Sequence, residues 1–126
     1  MAERIAKKLA REKGLKDIKF SSAGIYATGE NITQNTSKVL KSLGYDGRNR
    51  KSVKLSKTKP KVIYVAVTED HKRFINSKRT ISFDQLFGKV GDPYGQDEQV
   101  YLQTAKAIEQ NVLLLLEKIQ NLRGEL

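Results

Sequence analysis

The sequence predicts an α/β protein with three layers, in which helices flank a parallel sheet. Two segments, one near each end of the chain, carry apolar residues at helical spacing. Between them, residues 62 to 67 form an unbroken apolar run, which is typical of a strand buried on both faces of a parallel sheet. Helix and strand patterns alternate along the chain, and this alternation favours a parallel sheet covered by helices.

The first two helices are predicted from apolar spacing and from the glycines that end them. Residues 2 to 13 place their apolar side chains on one face, and Gly14 follows as a C-cap. No capping residue precedes this helix, so its start is unusual. A second helix is predicted from about Thr33 until Gly44, where the pattern stops.

Two further helices are predicted in the second half of the chain. Thr68 is a suitable N-cap for a short helix that includes His71, because a threonine oxygen accepts a hydrogen bond from a free backbone N–H group. From Asp97 onward, apolar residues fall at helical spacing for about seven turns. They are Tyr101, Ala105, Ile108, Val112, Leu115, Leu116, Ile119 and Leu122.

Three short strands are predicted between the helices. Residues 17 to 21 alternate apolar and polar side chains, residues 62 to 67 form the apolar run, and residues 80 to 83 suggest a third strand. Residues 45 to 60 are basic and follow no regular pattern. The sheet is therefore expected to lie in the middle of the chain, with the longest helix after it.

Length and composition indicate one globular domain over residues 1 to 126. The chain is 38% hydrophobic and 30% charged, and no apolar run approaches the ~18 residues of a membrane span. Residues 1 to 4 contain no apolar signal core, so we expect a cytoplasmic protein. The absence of cysteine excludes disulfides, zinc–thiolate sites and thiol catalysis by these residues. We expect neither a metal nor a cofactor.

The charge of the chain favours anionic partners. Lysine and arginine number 24 against 14 aspartate and glutamate, which gives a formal net charge of +10. Such an excess attracts phosphorylated substrates, anionic membranes or nucleic acid. A solvated lysine-rich surface is the alternative. We expect no membrane partner, because no apolar run is long enough for a membrane span. Nucleic acid is the less favoured partner, because no recognition motif or aromatic interleaving accompanies the lysines.

The loop Gly91-Asp92-Pro93-Tyr94-Gly95 carries the main functional hypothesis. An aspartate between two glycines and next to a proline is a carboxyl group fixed at a loop tip, where it can meet a ligand. The same residues are also ordinary turn chemistry, and Asp97 is an ordinary helix N-cap. His71 is the only histidine, and a surface position is its simpler interpretation, because a catalytic histidine needs a partner within reach.

Several segments together resemble the low molecular weight protein-tyrosine phosphatases, in order and spacing, over nearly the whole chain. The matching segments are Ser22-Ala23-Gly24 after a strand, Val39 to Gly44 in the next helix, Val65 to Thr68 in a later strand, and Asp92 to Gly95 in the acid loop. Residues His71, Lys72, Tyr101 and Thr104 resemble the branch that contains bacterial protein-arginine phosphatases. The resemblance implies the low molecular weight phosphatase fold.

The resemblance also implies a reaction, the hydrolysis of phosphotyrosine or phosphoarginine on a phosphorylated protein through a phosphocysteine intermediate. Asp92 matches the family's general acid and base, and Tyr94 matches the aromatic residue that packs against the substrate; Tyr94 could instead cover its own turn. Ser22 matches a hydroxyl that orients the phosphate loop, with a capping hydroxyl at a strand end as the alternative. Tyr26 lies in the loop that shapes the rim of the pocket.

The family's nucleophile has no counterpart in this sequence. In the family, a first strand and a phosphate loop of the form Cys-x5-Arg-Ser precede the first helix, and Pro and Met-Ala-Glu commonly follow that loop. This sequence begins Met1-Ala2-Glu3. We therefore expect an N-terminally truncated domain that lacks the first central strand, the thiolate and the arginine, and we expect the upstream reading frame to encode them.

We expect such a chain to be inactive on phosphoesters and to be poorly stable or rearranged as a monomer. A lost central strand removes several buried side chains, each worth about 1.5–3 kcal/mol. A rearrangement would pair residues 17 to 21 with residues 62 to 67, or would fill the exposed sheet edge with a second chain as a dimer.

Two alternatives to the phosphatase hypothesis are open. The first is a catalytically inactive phosphatase-like binding module, and the second is a basic nucleic-acid-binding domain, argued from charge alone. The module would use a basic surface made by Arg48, Arg50, Lys51, Lys54, Lys57, Lys59 and Lys61.

Overall fold

The structure, a computed structural model, describes residues 1–15, 17–24, 29–56, 58–59, 62–75 and 79–124. Helices and strands alternate over these residues, and the strands are short. The elements are α1 (Ala2–Glu12), α2 (Gln34–Ser42), β1 (Tyr64–Ala66), α3 (Glu69–Phe74), β2 (Thr80–Ser82), a 3-10 turn (Phe83–Gln85) and α4 (Glu98–Gly124).

Helix α1 confirms the prediction of an amphipathic helix at the start of the chain. Ile5, Ala6 and Ala10 are buried on its inner face. The helix ends where Gly14 adopts a positive φ of 78°, a conformation that costs glycine little. Leu15 then donates its backbone N–H to the carbonyl of Ala10 at 2.9 Å. This hydrogen bond across the glycine is typical of a glycine C-cap, because it satisfies a free carbonyl of the last turn.

Helix α2 confirms the predicted start near Thr33 and the predicted stop at Gly44. The side chain of Thr33 accepts a hydrogen bond from the backbone N–H of Thr36 at 3.2 Å. Val39 and Leu40 are buried in the core. Gly44, with a φ of 85°, ends the helical run and turns the chain into the irregular basic segment.

The sheet is parallel, as the apolar run predicts. β1 pairs with β2 in the register Tyr64 to Thr80, Val65 to Ile81 and Ala66 to Ser82. Helix α3 lies in the connection, which is the usual βαβ solution for joining parallel strands. The α/β class with helices around a parallel sheet is therefore confirmed, and β2 confirms the strand predicted from residue 80.

Two of the strand predictions are wrong in their details. Residues 18 to 20 form no strand, although Ile18 and Phe20 do pack against the core as their alternation predicts. Among the described residues this segment has no neighbouring strand to supply a ladder, so its backbone stays irregular and does not pair with β1. Val62 and Ile63 are 39% and 50% exposed, because the described ladder of β1 runs on one side only and begins after them.

Helix α4 supplies the largest part of the core. It packs against α1 and α2, and six of the eight predicted apolar positions are buried. The buried ones are Tyr101, Ala105, Ile108, Val112, Leu115 and Leu116. None of the described helices is at once long enough and apolar enough to traverse a bilayer.

Tyr45 joins the end of α2 to α4 and to α1. Its hydroxyl donates to Oε2 of Glu109 at 2.6 Å. Lys8 lies over its ring, with Nζ 5.2 Å from the centroid, and also donates to the carbonyl of Gly44 at 2.8 Å. Burial, followed by the hydrogen bond and the charge of Glu109, raises the pKa of Tyr45 above its usual value.

We expect Tyr45→Phe to weaken the fold and to change its alkaline unfolding. At neutral pH the variant loses a hydrogen bond to a charged group, worth about 1–2 kcal/mol of unfolding free energy. The folded pKa of Tyr45 lies above the unfolded value of about 10, so its stabilisation is complete below that pH and is lost as the pH rises further.

The measurement is urea unfolding of both proteins at several alkaline pH values. The difference in unfolding free energy between wild type and Tyr45→Phe should shrink as the pH rises above about 10. Tyr94→Phe is the control. Tyr94 is 76% exposed, so its substitution should not change how the unfolding free energy depends on pH in this range. A constant difference across this range would contradict the assignment.

Candidate functional site

A polar cavity lies in front of the first turn of α1. Its volume is about 210 Å³, and it lies where the start of α1 meets three loop segments. The lining comes from Met1, Glu3 and Arg4, from residues 22 to 24, from residues 30 to 32 and from residues 50 to 53. We call this the α1 cavity.

Glu3 is the centre of the charged groups in the α1 cavity. The residue is only 7% exposed, yet its carboxylate has several partners. Arg50 forms a short ion pair with it, Lys7 Nζ lies 3.6 Å away and Arg4 Nε lies 3.9 Å away. The hydroxyl of Ser22 donates to Oε1 of Glu3 at 3.3 Å. A buried carboxylate is stable only with such compensation, so Glu3 holds these segments together.

The basic segment after α2 is tied to α1 through Arg4. The guanidinium of Arg4 donates to the carbonyls of Asp46 and Arg48 at 3.0 and 3.2 Å. Arg48 in turn donates from Nε and Nη2 to the two carboxylate oxygens of Asp46 at 3.0 and 2.9 Å. These hydrogen bonds hold the pKa of Asp46 well below its usual value.

Ser22 is placed in the α1 cavity by a short parallel bridge. Gly24 donates its backbone N–H to the carbonyl of Val53 at 2.8 Å and accepts from the N–H of Leu55 at 2.9 Å. This bridge brings residues 22 to 24 beside the basic segment. The sequence prediction that Ser22 orients a phosphate loop stays a prediction. In this structure its hydroxyl donates a hydrogen bond to Glu3.

Asp92 and Tyr94 lie in an exposed turn, which we call the 91–95 loop (Gly91 to Gly95). Oδ1 of Asp92 accepts the backbone N–H of Tyr94 at 3.0 Å, as in an Asx turn. Gly95 has a φ of 79°, which glycine adopts without strain. The carboxyl group of Asp92 is exposed, and the ring of Tyr94 is 76% exposed.

The C-terminal side of the 91–95 loop is fixed to helices. Asp97 caps α4, with Oδ1 accepting the N–H of Val100 at 3.0 Å, as predicted for an ordinary N-cap. The amide of Asn35 in α2 donates to the carbonyl of Gln96 at 3.3 Å. The loop tip is therefore free to meet a ligand while its C-terminal base is held.

His71 has a structural role that the sequence analysis did not identify. Its Nδ1 accepts the backbone N–H groups of Val67 and Thr68 at 3.3 Å each, while Thr68 caps the N–H of His71, which completes a capping box. Burial lowers the pKa of His71, and the charges of Asp92 and Asp70 oppose that shift. The neutral ring therefore stabilises α3.

The structure does not bring all the predicted site residues into one cavity. Ser22 lines the α1 cavity, and neither Asp92 nor Tyr94 does. Asp92 instead acts electrostatically on His71 at the start of α3. Tyr26 lies outside the described residues. Within the described ranges, no group of three or more histidine, aspartate and glutamate residues could hold a metal ion.

Sequence reasoning missed Glu3 and Arg50 as partners. An acidic residue in the first turn of a helix is usually explained by the helix dipole, and an arginine in a basic segment is usually explained by solvation. The signal that distinguishes Glu3 is its position among inward-facing residues of α1, where a charge without partners would be costly.

Comparisons with known proteins agree on one family. The family described as low molecular weight phosphotyrosine protein phosphatase matches residues 1–124. A search of curated proteins finds no match.

Solved structures share the fold. The low molecular weight protein tyrosine phosphatase of T. tengcongensis is 28% identical, with a TM-score of 0.82, over 93% of this chain and 88% of that one. The YwlE arginine phosphatase of Geobacillus stearothermophilus is 26% identical, with a TM-score of 0.78, over 98% and 88%. The protein tyrosine phosphatase of Entamoeba histolytica, 22% identical over 99% and 89%, has a TM-score of 0.83 and shows the fold alone.

We expect Glu3→Gln to loosen the α1 cavity. The substitution removes the charge that Arg50 and Lys7 share, so the unfolding free energy should fall by about 1–3 kcal/mol. Amide hydrogen exchange should quicken most in residues 50 to 53, which line the same cavity. Glu12→Gln is the matched control, because Glu12 is an exposed acid on the same helix. Equal effects of the two substitutions would contradict the central role of Glu3.

Proposed function

Because the chain belongs to the low molecular weight phosphotyrosine protein phosphatase family, we propose that Asp92 is the general acid and base of a protein phosphatase reaction. The family and the structural neighbours support a protein phosphatase function. The observation that carries the assignment to Asp92 is its geometry. The carboxyl group stands exposed at the tip of a turn whose base is fixed to α2 and α4.

The hydrogen bonding of Asp92 suits proton transfer. Oδ1 of Asp92 accepts the backbone N–H of Tyr94, and none of the described hydrogen bonds uses Oδ2. Asp92 is exposed, so lone pairs of its carboxyl group are available to carry a proton. A carboxyl group held in this way can protonate the oxygen or nitrogen that leaves phosphorus. The same group, once ionised, can take a proton from the water that completes hydrolysis.

Tyr94 and Ser22 are proposed to assist at two different positions. The exposed ring of Tyr94, next to Asp92, offers an apolar face on which a substrate side chain can pack. Ser22 presents a hydroxyl in the α1 cavity beside Glu3, where it can orient a phosphate-binding segment. Tyr26 is proposed for the rim of the pocket from the family resemblance.

A phosphocysteine intermediate needs a thiolate, and the 126 residues contain no cysteine. A carboxyl group that transfers protons cannot replace the atom that attacks phosphorus. We therefore propose that these 126 residues do not hydrolyse phosphoesters unaided. The nucleophile loop of the family supplies that step where it is present.

The substrate is proposed to be a phosphorylated protein, modified on tyrosine or on arginine. A net charge of +10 favours the approach of such an anion. Structural neighbours with 26–28% identity include one tyrosine phosphatase and one arginine phosphatase, so both substrates stay open. The cytoplasmic location and the dimer through a sheet edge stay predictions.

A binding module is the second candidate, and the basic segment favours it. The side chain of Arg48 is 86% exposed even though it pairs with Asp46, and Lys51 and Lys54 are exposed nearby. Such a surface would bind a phosphorylated ligand without turnover.

We expect no turnover from the purified 126-residue chain. It should be assayed with a phosphotyrosine peptide and with phosphoarginine, using the T. tengcongensis and Geobacillus enzymes as positive controls. Fluorescence anisotropy of the same peptide tests the binding module. Peptide binding without turnover supports that module, and turnover abolished by Asp92→Asn would show a nucleophile other than cysteine and overturn the proposed inactivity.

We expect Asp92 to control turnover once a nucleophile is supplied. In a chain extended before Met1 by a family strand and Cys-x5-Arg-Ser loop, Asp92→Asn should lower kcat by about 10²–10⁴-fold for leaving groups of high pKa. The loss should be much smaller for good leaving groups, which need no protonation.

The matched control for Asp92→Asn is Asp97→Asn. It removes the same charge five residues later, and asparagine is as good an N-cap as aspartate, so α4 should stay intact. If kcat depends on the pKa of the leaving group in the same way in Asp92→Asn and in Asp97→Asn, Asp92 is not the general acid. An extended chain that stays inactive although it folds would count against the phosphatase proposal itself.

A further inference from the structure

Asn111 is a fully buried amide on the inner side of α4. Its exposed fraction is 0%, and it lies next to Val112 on the face that forms the core. A polar side chain in such a place is costly unless its hydrogen bonds are made. Asn111 makes four, and three of them reach another segment.

The partners of Asn111 are the backbone groups of one turn and one carbonyl of its own helix. Oδ1 accepts the N–H groups of Phe87 and Gly88 at 3.0 and 3.2 Å. Nδ2 donates to the carbonyls of Gly88 and Ala107 at 3.0 Å each. Both lone-pair directions of the oxygen and both hydrogens of the amide are therefore used.

The turn held by Asn111 leads directly into the 91–95 loop. Gly88 is four residues before Asp92, and Val90 between them is only 6% exposed and belongs to the core. On the other side of the loop, Asp97 caps the first turn of α4. The same helix thus holds the chain before the loop through Asn111 and after it through its own N-terminus.

We propose that Asn111 is a positioning residue for the phosphatase site, because it fixes the chain that leads into the 91–95 loop and so sets where Asp92 stands. The inference rests on the proposed role of Asp92 for its functional meaning, although the positioning itself concerns only the loop. Asn111 lies between three and four helical turns from the N-terminal end of α4. None of the described hydrogen bonds joins it directly to the 91–95 loop, so it acts through Phe87 and Gly88.

Only an amide satisfies the four bonds at once. Leucine has a similar volume but would leave the N–H of Phe87 without its side-chain acceptor, and the N–H of Gly88 with only the carbonyl of Phe83, at 3.1 Å. Aspartate offers an acceptor to both N–H groups, but its ionised form cannot donate to the carbonyls of Gly88 and Ala107 and repels them, so the turn should open more often. Its protonated form can donate once, so an aspartate at this position should be tolerated better at acid pH than at neutral pH.

The test uses Asn111→Leu and Asn111→Asp in the 126-residue chain, under conditions where each protein is folded. Hydrogen exchange at the amide of Phe87, corrected for intrinsic rates, should quicken by about tenfold or more in both variants near neutral pH. The amide of Gly88 should quicken less, because it also donates to the carbonyl of Phe83. The amide resonance of Tyr94, which donates to Asp92, should shift as well, because the loop is displaced.

The aspartate variant adds a pH signature. Burial raises the folded pKa of a carboxyl group above its unfolded value. The protection of Phe87 and Gly88 in Asn111→Asp, relative to wild type, should therefore recover as the pH falls from about 8 to about 5, and Asn111→Leu should show no recovery.

Val112→Ala is the matched control. It removes fully buried volume from the next residue of the same helix but leaves the hydrogen bonds of Asn111 to the turn in place. It should therefore lower global stability while leaving the Tyr94 resonance and the local exchange at Phe87 and Gly88 unchanged in the native state. If Asn111→Leu leaves the Tyr94 resonance in place, or if Val112→Ala shifts it equally, the positioning role is wrong. These readouts do not depend on whether Asp92 transfers a proton, so they separate this inference from the proposed function.

Discussion

The burial of one face of α4 is the constraint on which the other described elements depend. Its inner residues pack against α1 and α2. The same helix supplies Glu109, which accepts from Tyr45, and Asn111, which holds the turn at Phe87. Its first turn is capped by Asp97, just after the 91–95 loop. A helix with this many partners cannot slide or rotate, because each shift would break buried contacts. The position of the proposed acid is therefore a consequence of core packing.

Electrostatics organises the irregular segments around the start of α1. Charged and polar side chains hold these segments to the helix. Glu3 gathers Arg50, Lys7 and Ser22, while Arg4 reaches the backbone of residues 46 and 48. Charge pairs of this kind are directional, so they fix loops that hydrophobic burial alone would leave without a defined conformation.

The sequence predicted the helices well and the sheet less well. Thr33, Gly44 and Thr68 mark element ends by local chemistry, and the structure confirms each of them. The alternation of Ile18 and Phe20 predicted their burial but not a strand, because a strand also needs a neighbour. Of the candidate site, the exposed turn at Asp92 could be foreseen. The role of Asn111 could not, since three of its four hydrogen bonds are made to backbone groups more than twenty residues away.

The packing of the first helix on the last one has a consequence for how the chain folds. Residues 13 to 97, about two thirds of the sequence, lie between α1 and α4, so their contact closes a long loop. Proteins dominated by such distant contacts fold slowly, since the entropy of closure must be lost before the contact is gained. Assembly of this domain is thus expected to be limited by the search for a partner helix and not by helix formation itself.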